Sequence, residues 1–439
     1  MSKILMTTVG SYGDLHPYIA MARVLKRHGD EVTIGTHEQY REQVERVGIR
    51  FIPIKPGLDE LGPQESWAAK ANSSIRGTEF IVRTLLMPYL EVGYHTTKAA
   101  AAGHDLMISH VLSFATPLVA EELNIPWVSS ALQPAPFFSA YDPPALGFAT
   151  FLPRMKFLGP KFMRWFMRLL AKPTELWTAP IEDFRKNIGL KPFSKNVLID
   201  GYSPLGTLAL FPTAFAAAQP DWPANVKQIG FPLFDQETTS GISPELQSFL
   251  AAGAPPIVFT LGTAIVRMET SYYEVAYQAV KALGLRAVFL VGGNPRRIPP
   301  AATTDPHIHI SNYEPFSGLF PFAAAIVHQC GIGTTAQALA SGRPQVLVPF
   351  AHDQPDNARR VVALGMGCEI PARRLNVTRL ISALKAVTER ETFAARARDF
   401  VAELHVDRFD RLLHEAVSSF LSTKQSVGGP VGDRSDAAG

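Results

Sequence analysis

Three stretches of this chain hold residue types that do chemistry, at spacings that let them act together. Gly10-Ser-Tyr-Gly-Asp14-Leu-His16-Pro17 follows an apolar run and places a carboxylate where a helix is about to begin. The helix dipole holds such a carboxylate ionised. Asp14 can therefore cap the helix or take a proton from a hydroxyl as a general base. The two uses are compatible, and both stay open. His16 is a second candidate base whose plainer reading is structural. His328-Gln-Cys-Gly331-Ile-Gly333-Thr334 also follows an apolar run and leads into a helix. Free backbone N–H groups and the positive end of the dipole make such a turn an anion site. Glycine is equally what a tight strand-to-helix turn needs for its backbone angles. Twenty-five residues beyond His328 stand Asp353 and Gln354, whose hydrogen-bonding groups suit a polyol. Alone, His328 reads as a core histidine. Coupled to Asp353-Gln354, the stretch reads as a seat for a sugar diphosphate.

Other residues are weaker pointers. Asn312-Tyr313-Glu-Pro-Phe316 puts an aromatic at a strand end before a proline, which can form a shelf for a base or pack as an ordinary surface tyrosine. Base–aromatic stacking contributes about 1–3 kcal/mol in nucleic-acid binders. His110 ends a strand and can line a second ligand's side or sit in the core. His307 and His309 lack a carboxylate or cysteine at ligand spacing and read as structural. Residues 151–172 interleave six cations with aromatics. That pattern suits an interfacial membrane segment, a flap over an apolar pocket, or, most plainly, a core-facing helix with a solvated basic face. The first turn lacks the dinucleotide fingerprint: the third glycine falls at Leu15, and no acidic residue ends the second strand.

These residues need elements to position them. Apolar runs predict strands at Lys3–Val9, Val32–Gly35, Phe51–Ile54, Leu106–Ser109, Trp127–Ala131, Thr207–Phe211 and Val226–Ile229. A second series follows at about 256–261, Ala287–Val291, His307–Ile310, Ala325–Val327 and Gln345–Val348. Helical patterns fall between many of them, one over about 272–283 and one that Pro17 suits as first helical residue and Gly29 ends. Alternating strands and helices imply parallel sheets covered on both faces. The expected architecture is α/β: two facing Rossmann-like, doubly wound domains with a cleft between them, into which the strands' carboxyl ends open. The expected divisions are an acceptor domain (1–229), a Pro- and Gly-containing linker (230–241), a donor domain (242–407), a helix packing back on the first domain (408–425) and a disordered tail (426–439). At 439 residues, two domains are the first expectation. A net charge of +3 gives no case for a nucleic-acid partner. Two cysteines, no signal-peptide pattern and no run near the roughly 20 apolar residues of a membrane span point to a cytoplasmic protein.

The constellation resembles the GT-B glycosyltransferases of family 1, over nearly the whole chain to about residue 420. Within that family it is most similar to the bacterial rhamnolipid-type rhamnosyltransferases and the sterol glucosyltransferases, through Gly10–Pro17, Trp222-Pro223 with Gly230-Phe-Pro-Leu-Phe-Asp235, and Ala351–Asn357. The resemblance implies roles. Asp14 would be the general base. His328, Gly331, Gly333, Thr334 and Thr263 would bind the donor diphosphate, and Tyr313 would stack on the base. Asp353 and Gln354 would hold the sugar, with His16, His110, Asn357 and Phe316 as further candidates. It implies inverting transfer of a hexose from UDP-glucose or dTDP-rhamnose to a hydroxyl of a hydrophobic acceptor such as a flavonoid or lipid, with no metal ion and no cofactor. One departure stands out: Cys330 occupies a place where many bacterial members have glycine, and a Cβ there limits the backbone. The competing readings are a nucleotide-sugar epimerase of the same architecture, a dinucleotide-dependent oxidoreductase, and a lipid or membrane binder built on residues 151–172.

Overall fold

The computed structural model describes residues 1–57, 59–193, 195–235, 241–262, 271–292, 298–405 and 408–427. Seven strands make the first sheet: β1 Lys3–Thr7, β2 Glu31–Thr36, β3 Arg50–Pro53, β4 Leu106–His110, β5 Trp127–Ala131, β6 Thr207–Ala209 and β7 Val226–Gln228. Six make the second: β8 Ile257–Thr260, β9 Ala287–Leu290, β10 Ile308–Ser311, β11 Ala325–His328, β12 Gln345–Leu347 and β13 Gly367–Glu369. Every pairing is parallel. The orders are β3-β2-β1-β4-β5-β6-β7 and β10-β9-β8-β11-β12-β13, so both sheets reverse direction in the same way. The switch points lie between β1 and β4 and between β8 and β11, where open α/β sheets take ligands. The helices that bear on the site are α1 Tyr12–Arg27, α2 Leu90–Ala101, α3 Pro160–Ala171, α4 Tyr272–Leu283, α5 Ile332–Ala340, α6 Gln354–Ala363 and α7 Phe409–Val427. No helix among the described residues is long and apolar enough to cross a membrane.

The two sheets are the expected fold. The strands were visible because a strand covered on both faces is apolar throughout; every residue of β4 is buried. β13 went unseen because Gly367-Cys-Glu is short and not apolar. It needs its glycine: a Cβ at Gly367 would lie 2.3 Å from the Gln345 carbonyl oxygen. The start of α1 is corrected. The helix begins five residues ahead of Pro17, because Ser11 caps it and Asp14 closes a capping box from its third position. Pro17 lies inside the helix at the cost of one backbone hydrogen bond.

One apolar cluster joins the halves, running from Leu15, Tyr18 and Ile19 on α1 through Ile332, Ala336 and Leu339 on α5 to Phe409, Leu413 and Phe420 on α7. Residues 230–235 have no regular structure but are pinned: Asp235 accepts from the Phe316 and Ser317 N–H groups at 3.2 and 2.9 Å. Residues 236–240 of the stretch read as linker lie outside the described residues. α7 lies along α1, with Arg27 paired to Asp410 and the His28 and His414 rings stacked 4.0 Å apart. It runs to Val427, two residues into the stretch read as tail; 428–439 lie outside the described residues.

Candidate active site

The loop after β1 is tightly strapped. Tyr40 donates its hydroxyl to the Gly10 carbonyl at 2.9 Å, and the Gly10 N–H donates to His37 Nε2 at 3.3 Å. Gly10 has φ +127°, and a Cβ there would lie 2.3 Å from Asp14 Oδ2. Only glycine lets the carboxylate fold back over the loop. Oδ2 of Asp14 accepts from the Ser11 N–H at 2.7 Å and from its hydroxyl at 3.2 Å. Oδ1 faces His110 Nε2 at 3.8 Å, and the side chain keeps 29% exposure. One oxygen thus caps the helix while the other stays available.

His110 is buried, and burial lowers its pKa, with Asp14 pulling it back up. Its Nδ1 accepts from the Leu112 N–H at 3.4 Å, which leaves Nε2 as the protonated nitrogen, aimed at Asp14. His16 packs on the segment that leads into the second half. Burial drives its pKa down to about 4 against the pull of Asp235, its Nε2 has no partner, and its ring packs edge-on to Phe234. A narrow cavity of about 40 Å³ opens beside this loop, lined by Thr7, Thr8, Ile54, Leu90 and Phe114.

On the second sheet His328 turns into the fold. The side chain is wholly buried. Its Nδ1 accepts from the Cys330 N–H at 3.1 Å, so Nε2 carries the proton and donates to Gln345 Oε1 at 2.9 Å. Burial lowers its pKa to about 4, so the ring is neutral. Both nitrogens are committed inside the fold, and neither is presented to the turn. Gln329 is the side chain that reaches it. A Cβ at Gly262 would lie 2.1 Å from Gln329 Nε2, one at Gly331 3.1 Å, and Gln329 Oε1 has no partner. Side chains alternate along a strand, so the residue after a core-facing His328 emerges on the other face. Strand alternation is the sequence signal for that placement.

Cys330 adopts φ +71°, which costs a residue with a Cβ roughly 1–2 kcal/mol. The His328 ring and the Asn357 side chain hold it there, the latter donating to the Cys330 carbonyl at 3.0 Å. Gly331 then caps α5 without a side-chain partner. The N–H groups of Ile332, Gly333 and Thr334 are left open for an anion. Beside Gly333 there is open space. Thr263 lies outside the described residues.

Tyr313 follows β10 and is 40% exposed. Phe316 is not an open face, since its ring stacks on Phe320 at 4.4 Å. Gln354 accepts from the Phe350 and Ala351 N–H groups at 2.8 and 3.1 Å, so its amide nitrogen is the end left to donate. Asp353 Oδ2 accepts from Asn357 Nδ2 at 2.7 Å. Burial raises the Asp353 pKa from 3.8 to about 7; the Asn357 hydrogen bond opposes this, and the charges of Asp14 and Asp356 add to it. Asp14 and Asp353, on opposite sheets, therefore share one electrostatic field. A carboxyl raised in the fold resists ionisation, so it withdraws stability as pH climbs from 3.8 towards 7. Asp353→Asn is expected to gain stability over the parent above pH 7 and nothing below pH 4, as read by denaturant midpoints across pH.

Further contacts close the joint between the halves. His352, at φ +56°, meets Thr78 Oγ1 through Nδ1 at 3.3 Å. Asp356, fully buried on α6, accepts from the Ala145 N–H at 3.0 Å and from Arg360 Nε at 2.8 Å. Asp142 pairs with Arg360 Nη2 at 2.8 Å and Arg359 Nη2 at 3.2 Å. Burial raises the Asp142 pKa, but the two guanidiniums more than offset it and leave it lowered.

Known proteins match this chain along most of its length. Residues 4–135 match the family described as glycosyltransferase family 28 N-terminal domain, and residues 294–408 match the erythromycin biosynthesis protein CIII-like C-terminal domain. An O-mycaminosyltylonolide 6-deoxyallosyltransferase of Streptomyces fradiae is 30% identical over 402 residues, covering 90% of this chain and 92% of that one. A sterol 3-beta-glucosyltransferase of Debaryomyces hansenii is 26% identical over 90% of this chain and 25% of its own length. Among solved structures, the glycotransferase of kitacinnamycin superposes with a TM-score of 0.70 at 20% identity, covering 95% of this chain and 99% of that one. VinC in complex with dTDP gives 0.65 at 18% identity, covering 95% and 99%. With two parallel Rossmann-like sheets facing one joint, the chain belongs to the GT-B glycosyltransferases.

Proposed function

We propose that this glycosyltransferase moves a hexose from a nucleoside-diphosphate sugar to a hydroxyl of a hydrophobic small molecule, with inversion at the anomeric carbon and without a metal ion. The observation that carries the reading is the packing of α1, which opens with Asp14, against α5, with Asn357 tying Asp353 to the Cys330 carbonyl just ahead of α5. One carboxylate stands at the first sheet's switch point. The other stands beside the open N-terminus of α5, where a diphosphate fits. Asp14 Oδ1 takes the acceptor's hydroxyl proton. The acceptor oxygen attacks the anomeric carbon as the bond to the diphosphate oxygen breaks on the opposite face, and the diphosphate leaves with the electron pair. Gln329 Nε2 and the N–H groups of residues 332–334 stabilise that charge. His110 Nε2–H steadies the Asp14 carboxylate until it is protonated. Asp353 and Gln354 hold sugar hydroxyls, and Tyr313 offers the base a face. Relatives named for an O-mycaminosyltylonolide and for sterols support a hydrophobic acceptor.

Calorimetry with UDP and dTDP, followed by product analysis of each sugar donor with apolar alcohols in the presence of a chelator, tests the reading. Donor converted to an epimer with no acceptor product would assign the epimerase reading instead. Gln329→Ala is expected to lower kcat by about 10²–10³-fold, the loss seen when one preorganised donor to a developing anion is removed. Unchanged turnover would leave the diphosphate to the N–H groups of residues 332–334 alone.

A further inference from the structure

We propose that the face formed by residues 148–172, centred on α3, docks on an anionic lipid surface. Of the sixteen large hydrophobic side chains exposed among the described residues, eight fall between 148 and 176. That concentration is not what a surface of scattered apolar residues gives. At 3.6 residues per turn, α3 has three faces. Met163, Met167 and Ala171 are buried, the two methionines against Ala140, Ala149 and Leu152. Phe162, Trp165 and Leu169 form a second face that looks outward, with Trp165 61% and Leu169 54% exposed; Phe157, just before the helix, is 82% exposed. Lys161, Arg164, Arg168 and Lys172 line the edge between these faces.

Charge decides the occupant. Residues 148–176 hold six cations and one acid, Glu175, in a chain whose total is only +3. Arg168 is neutralised by Asp200 at 2.8 Å, and Arg164 lies 3.8 Å from Asp221. No carboxylate among the described residues pairs with Lys156, Lys161 or Lys172. A row of aromatics flanked by unpaired lysines suits the acyl boundary and headgroups of an anionic leaflet. A second copy of the chain would bring the same lysines against themselves. The chain between Ala140 and Ala149, which pack under α3, carries Ala145, whose N–H donates to Asp356 at the joint. A lipid-docked face therefore sits close to the donor-side helix.

Co-sedimentation with vesicles of phosphatidylcholine alone, or with phosphatidylglycerol added, tests the proposal on the full chain. The protein should pellet with the anionic vesicles and be released by salt. Phe157→Ser/Trp165→Ser/Leu169→Ser should weaken partitioning at least about 10-fold. Lys156→Gln/Lys161→Gln/Lys172→Gln should weaken it on the order of 100-fold, on anionic vesicles only. All six positions lie on the surface, and unchanged thermal unfolding of both variants confirms that the fold is kept. Absence of binding by the parent, or equal binding by both variants, overturns the proposal. So does a dimer of the parent that the serine variant abolishes, since that would assign the face to a second copy.

Discussion

Asp14→Asn is expected to lower kcat by about 10²–10⁴-fold, the range contributed by a positioned general base, while leaving nucleotide binding near the parent value. The local geometry is why this change isolates chemistry from structure. The capping box needs only an oxygen acceptor for the Ser11 N–H, now 2.7 Å from Asp14 Oδ2, and an amide oxygen supplies one. The helix should therefore start where it does now. The proton acceptor is lost, because the amide cannot take the hydroxyl proton. A second readout separates a lost base from a disturbed loop. The Asp14 charge helps to raise the Asp353 pKa, so removing it should move Asp353 ionisation below its present value of about 7. A pH series of nucleotide-sugar binding should then show its carboxylate limb shifted towards acid. An Asp14→Asn enzyme with full turnover would exclude Asp14 as the base. One with lost turnover and an unshifted limb would place Asp14 and Asp353 too far apart to share a site.

Much of the fold could be read from sequence because buried parallel strands are written as apolar runs. Where that pattern fails, as at Gly367-Cys-Glu369, the strand was missed although its pairing with β12 is regular. The local groupings of the candidate site were legible in outline. Gly10 and Asp14 are local to one another, and so are Asp353, Gln354 and Asn357. Side-chain direction was less legible. His328 carries the more reactive side chain, yet strand alternation sends it into the core and brings Gln329 to the turn. Pro17 is a strong local signal for a helix start, and the capping box of Ser11 and Asp14 ahead of it overrides that signal. The joint between the halves could not be read at all. Asp142 and Arg359 are 217 residues apart, and no local pattern marks them as partners.

That joint supplies the largest expected effect on stability. Asp356→Asn should cost about 3–5 kcal/mol, the range for breaking a buried ion pair. Asp356 is wholly buried and its oxygens are fully used: Oδ1 accepts from Ala145 and Arg359, and Oδ2 from Arg360. An asparagine of the same shape turns an NH₂ group towards donors that already lack room. It also leaves Arg360, only 7% exposed, to Asp142 alone. Asp142→Asn is the weaker cut, because Asp142 is 21% exposed and its loss leaves both arginines on Asp356; about 1.5–3 kcal/mol is expected, as for hydrogen bonds to charged groups. The two changes share partners, so their effects should not add, and a double-mutant cycle should give a coupling of about 0.5–3 kcal/mol. Denaturant titration followed by near-UV circular dichroism measures all three. Because the network ties residues 142–145 to the helix that carries Gln354, Asp356→Asn should also raise the donor KM, while kcat at saturation falls less. A cost below about 1 kcal/mol, with donor KM unchanged, would mean that the halves are held by the shared apolar cluster around α1 and α5 and that the ion pairs add little.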